Sequence, residues 1–129
     1  LSILTDNNKI TMLSLQKGFG SEQFDHCSFK NKFVKCQSQI DSTWDFLENA
    51  AIIQNCDLII TCDTSIAHLS GAIGKKTFLL LQKNCEWRWL KDIDYSPWYN
   101  SIKIYRQKTQ DDWSTVFDEV KKDIKRMVN

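Results

Sequence analysis

The stretch "DTSIAHLSGAIGK" (63–75) puts an acid, two hydroxyls and a histidine into six residues, ahead of small residues that end at Gly74. Asp63 or Thr64 at the cap of a helix can bond the free amides of its first turn. That turn also offers unpaired amides and a partial positive charge, which is what a phosphate needs. Helical placement at about 100° per residue sets Ile66, Leu69 and Ile73 on one side, expected to face a sheet. Thr64, His68 and Gly71 fall on the other. His68 could donate a hydrogen bond to a phosphate or sugar hydroxyl, or stand exposed behind an ordinary cap, and on pattern alone both readings stay open.

Lys17 in "SLQKGFG" follows an apolar run and precedes Gly18 and Gly20, so its ammonium is expected on the same sheet edge. A diphosphate held between Lys17 and the 63–68 turn would have both charge and donors satisfied; the alternative is a surface lysine in a turn. Other strings fail on inspection. "GFG" has Gln23 where a dinucleotide fingerprint needs its third glycine, which argues against a nucleotide-binding domain of a redox enzyme. "GAIGKKT" carries Lys76 where a phosphate loop requires Ser or Thr, and the strand follows it. "DID" (92–94) lies in an irregular segment and reads as a solvated acid pair. Cys56, Cys62 and His68 match no common zinc spacing, so no metal is expected.

These residues need elements to hold them. "ITMLSL" (10–15) reads as a buried strand entering a glycine turn, and "NKFVKCQ" (31–37) as a weaker strand. Thr43 to Asn55 reads as a helix with Leu47, Ala50 and Ala51 on its apolar face. "DLIITC" (57–62), "KTFLLLQ" (76–82) and "SIKIYRQ" (101–107) read as strands. From Asp112 a helix is plain: Trp113, Val116, Phe117, Val120, Ile124 and Met127 form one stripe, with acids at its start and bases near its end. Strands alternating with helices predict an α/β fold, a Rossmann-like parallel sheet with helices on both faces, whose ligands bind at the carboxyl ends of strands. The loops to watch are then 16–20, 62–68 and 83–100.

The segment "NCEWRWLKDIDYSPWYN" (84–100) has no clean period and reads as a long loop, or a loop with a short helix. Its Trp87, Arg88, Trp89, Trp98 and Tyr99 could stack on a base, line a cleft or pack the loop onto the sheet. Arg88, flanked by two indoles, is the strongest functional candidate there.

The 129 residues, 42% hydrophobic and 26% charged, fit one globular domain over 1–129. A net charge of +1, with no block of like charge, gives no reason to expect nucleic acid or a membrane surface. No apolar run reaches a spanning length and no signal pattern opens the chain. Five cysteines without paired spacing fit reduced, mostly packed thiols and a cytoplasmic protein. The chain opens on Leu1, and "LSIL" is expected to be the tail of an element in a longer protein.

"SLQKGFG", "DLIITCDTSIAHLSGAIGK", "EWRWL" and "DYSPWYNSIKIYRQ" together resemble the carboxyl-terminal domain of the heptosyltransferase-like glycosyltransferases (family 9), closest to bacterial proteins in which that domain follows tetratricopeptide repeats. The four stretches run in order across residues 14–107. The resemblance implies the donor-binding half of a two-domain GT-B enzyme, inverting and metal-independent, with no cofactor beyond its nucleoside-diphosphate-sugar substrate. Carried over by motif, the diphosphate and sugar contacts are Lys17, Asp63, Thr64, Ser65, Ile66 and His68. Gln16, Trp87 and Arg88 are further candidates, as cleft or base contacts. The family's turn usually carries glycine where this chain has Ser65. Its catalytic base comes from the amino-terminal domain, so the 129 residues alone are expected to bind donor weakly and transfer nothing. The other reading is a non-catalytic binding or scaffold module that keeps the fold.

Overall fold

The computed structural model describes residues 7–129; "LSIL", expected as the tail of an element, lies outside them. Three strands, β1 (Ile59–Thr61), β2 (Thr77–Leu81) and β3 (Ile102–Arg106), form a parallel sheet in the order β1-β2-β3. Ile59 stands opposite Thr77, and Thr77 opposite Ile102. The helices are α1 (Gln37–Asp41), α2 (Phe46–Gln54), α3 (Ser65–Ala72) and α4 (Ser114–Val128), with α3 crossing between β1 and β2. The segment 84–100 is a loop carrying one 3₁₀ turn, Trp87–Trp89.

All five residues of β2 are buried, because a central parallel strand is covered on both faces. Phe78 and Leu80 point to one side, where they pack with Tyr105 and with Val116, Val120 and Ile124 of α4. Leu79 and Leu81 point to the other, against Ala67 of α3, Trp89, Ile102 and Ile104. The expected Rossmann-like α/β sheet with helices on both faces is therefore present. The stripe on α4 holds as read, except that Met127 is exposed. At its start the Asp112 carboxylate accepts the Ser114 hydroxyl and amide and the Thr115 hydroxyl, which holds its pKa below the usual value.

Three expectations are corrected. Residues 10–15 and 31–37 are not strands but meet in a single parallel bridge, Met12 to Phe33. The Gln37 side chain takes the place of a strand neighbour: its Oε1 accepts the Ser14 amide at 2.9 Å and its Nε2 donates to the Ser14 carbonyl at 2.8 Å. On α2 the buried residues are Asn49 and Ile53, while Leu47 is 83% exposed and Ala51 is exposed. Asp45 caps that helix by accepting the Glu48 amide at 2.7 Å. The cysteines are all free, but none is fully buried, and Cys36 and Cys62 are exposed.

"GAIGK" ends α3 for a physical reason. Gly74 sits at φ 72°, its amide bonds the Gly71 carbonyl at 3.0 Å, and the Lys75 amide bonds the Ser70 carbonyl at 2.9 Å. This is the paired closure that a left-handed glycine provides at a helix end. Lys75 then donates its ammonium to the Gln54 and Cys56 carbonyls, tying off the end of α2. That occupation explains the lysine without any phosphate loop.

Candidate functional site

β1 ends at Thr61, and α3 begins four residues later, at Ser65. Thr64 is the capping residue, extended at φ −140°, yet its hydroxyl does not cap; it meets the Thr61 hydroxyl at 3.1 Å. The first intrahelical bond runs from the Ala67 amide to the Thr64 carbonyl, at 3.0 Å. The Ser65 and Ile66 amides bond nothing among the described residues, so two donors stay open at the positive end of the helix. Asp63, Thr64 and Ser65 are exposed around them. Beside them, partial desolvation and then the Asp63 carboxylate hold the Cys62 thiol above its ordinary pKa, which keeps it protonated at neutral pH.

The face of α3 turned to the sheet is not the one expected. Ala67, Ser70 and Gly71 are buried, whereas Ile66, Leu69 and Ile73 are half-buried. Small residues let the helix axis come close to the sheet and to what lies beyond it. A side chain at Gly71 would meet the Tyr99 ring at 2.5 Å and Ile102 at 2.9 Å. Gly71 is thus the seat of an aromatic ring, not an open side-chain-free surface.

His68 borders that seat. Its ring stacks on Trp89, centroids 5.1 Å apart and planes at 24°, and its Nδ1 lies 3.1 Å from the Tyr99 hydroxyl. Nε2 has no partner among the described residues and is not among the buried unpartnered atoms, so it reaches the surface. His68 is therefore half in the core and half out of it, with one nitrogen for each.

The aromatic segment is divided. Trp89 is fully buried and belongs to the core, while Trp87 is 71% exposed. Arg88 pairs with Glu86 at 3.2 Å, and its carbonyl accepts Trp98 Nε1 at 2.8 Å. Arg106 of β3 fastens the turn from beneath by donating to the Trp89 and Leu90 carbonyls and to Cys85. Ser96 Oγ accepts the Trp98 and Tyr99 amides, each at 3.2 Å. Trp87 and Arg88 thus sit on a rigid outer rim of the same cluster that holds His68. Asp92 and Asp94, the "DID" pair, are exposed.

Lys17 and Gln16 have partners of their own. The Lys17 ammonium donates to the Ile40 carbonyl and sits 6.0 Å from the Trp44 ring centre, and Gln16 donates to the Phe19 carbonyl at 3.1 Å. Both line an open groove of about 820 Å³ with Gln37, Asp41 and Trp44. Among the described residues no hydrogen bond or ion pair joins Lys17 to the 63–68 turn. No group of three or more His, Cys, Asp or Glu side chains converges among them. Nor is any helix among them long and apolar enough to cross a membrane.

Tyr99 is the residue that spacing did not single out as a partner of His68. A bond across 31 positions leaves no periodic trace; the usable signal was the pairing of a glycine one turn after a histidine with an aromatic ring to fill it. Comparisons with known protein families, with characterised proteins and with solved structures find no match to this chain.

Proposed function

We propose that this chain is the donor-binding domain of a metal-independent, inverting glycosyltransferase that uses a nucleoside-diphosphate sugar. One observation carries the reading: at the carboxyl end of β1, the start of α3 leaves the Ser65 and Ile66 amides open with the outward Nε2 of His68 one turn behind them. Two amides, a helix dipole and an imidazole are a donor set for a diphosphate, and stabilising a leaving diphosphate is the electrostatic demand of the transfer. Asp63, Thr64 and Ser65 then face the sugar, and Trp87 and Arg88 rim the cleft. In this reading the catalytic base belongs to an amino-terminal GT-B domain, the partners within a longer chain are that domain, tetratricopeptide repeats or both, and the protein works in the cytoplasm.

Lys17 favours a second reading. Its ammonium is committed to the Ile40 carbonyl, and a lysine so held contributes nothing to a diphosphate at the α3 turn. A scaffold module that retains the fold without turnover accounts for that contact directly.

Titration with ADP, GDP, UDP and CDP separates the two. Under the donor reading one of them shifts the Ser65 and Ile66 amides and the His68 ring, and His68→Ala weakens it by about 1.5–3 kcal/mol, the scale of a hydrogen bond to a charged group. Silence of all four at millimolar concentration leaves the scaffold reading.

A further inference from the structure

His68 has one nitrogen inside the fold and one outside, and the inner contact sets the chemistry of the outer one. A neutral imidazole carries its proton on one nitrogen only, and the hydrogen bond made by the other selects which. A phenol is a strong donor and a weak acceptor, whereas an unprotonated imidazole nitrogen is a strong acceptor. We propose that Tyr99 is the positioning residue of His68: its hydroxyl donates to Nδ1 across 3.1 Å, fixing the proton on Nε2 and presenting an N–H outward beside the α3 amides. The open nitrogen of the ring is then a donor, as the free Ser65 and Ile66 amides of the same helix are, and not a competing acceptor.

The surroundings hold Tyr99 to that task. Its ring occupies the space that only glycine leaves at position 71. Its amide and that of Trp98 are anchored on Ser96, which is 4% exposed. Trp89 stacks against the imidazole from the core side and stops it from turning about its own axis, while Arg106 fixes the backbone of Trp89. Much of the aromatic loop thus acts as a mount for one histidine. The ligand end of this inference rests on the donor reading; the tautomer does not.

The test uses the ring nitrogens directly. The chain has two histidines, and exposed His26 is an internal reference. In long-range ¹H–¹⁵N spectra at a pH where both rings are neutral, His68 is expected as a pure Nε2–H form, against a mixed pattern for His26. Tyr99→Phe keeps the ring over Gly71, removes only the hydroxyl, and should return His68 to the His26 pattern. It should also weaken whichever of ADP, GDP, UDP or CDP binds by about fivefold, the loss of one neutral hydrogen bond's worth of orientation. Added to His68→Ala, Tyr99→Phe should cost nothing further, because it acts through the ring. A mixed or Nδ1–H pattern in the unmutated chain overturns the proposal, as does a pattern that Tyr99→Phe leaves unchanged. If no nucleoside diphosphate binds, the donor reading falls alone and the tautomer comparison still decides the role of Tyr99.

Discussion

Asp123 gathers three donors on the surface of α4: Lys103 at 2.6 Å, the Tyr105 hydroxyl at 2.6 Å and Arg126 at 2.9 Å. The hydrogen bonds from Lys103 and then Tyr105 hold its pKa below the ordinary value, while burial and then the Asp123 acceptor hold the Tyr105 phenol above its own. The two signs differ. The depressed acid contributes stability above its unfolded pKa of about 3.9, lost as pH falls through the folded value. The raised phenol contributes below about 10, lost as pH rises toward its folded value. Asp123→Asn should therefore cost about 1–2 kcal/mol in urea unfolding at neutral pH, and the difference should shrink as pH falls through the acid range. A constant difference from neutral to acid would refute the assignment. Neither this cluster nor the His68 pair was legible in the sequence, since each depends on residues that only folding brings together. What spacing did show was that His68 stands one turn from a helix start, and that holds.

Among the elements, those with a strong period were readable and those built on small residues were not. The α4 stripe follows from charge and apolar phase alone, and its buried members are the ones expected, Met127 apart. Val120→Ala should lower stability by about 2 kcal/mol, two methyl groups plus the cavity they leave. Leu47→Ala, on the solvent face of α2, should stay within about 0.5 kcal/mol. Equal losses from the two would mean that the burial on α2 and α4 is misassigned. On α3 the apolar residues suggested the wrong inner face, because close approach selected Ala67, Ser70 and Gly71 over larger neighbours. Residues 10–15 looked like a strand because of their apolar run. Their backbone instead finds a side-chain amide at Gln37, a substitution that hydropathy does not record.

At the scale of the molecule, the sheet and the segment before it differ in how they are held. β2 is buried along its length between two strands and two helical layers, whereas residues 7–36 are joined by one bridge and short turns and contribute no fully buried residue. Native-state hydrogen exchange should find the slowest amides in β2 and its partner strands, and much faster exchange across residues 16–36, since local opening follows buried contact. Uniform protection would contradict this. The parallel α/β architecture was legible because alternating strand and helix patterns specify it without any detail of contact. The full burial of β2 has another side during synthesis. "TFLLL" leaves the ribosome before β3 and α4, the two elements that cover its open edge and one of its faces, exist. An uncharged, strand-forming run in that interval is a seed for pairing with other chains. Lys75 and Lys76 before it and Lys83 after it bracket the run with like charge. Like charge at both ends of such a run disfavours its pairing with further copies of itself.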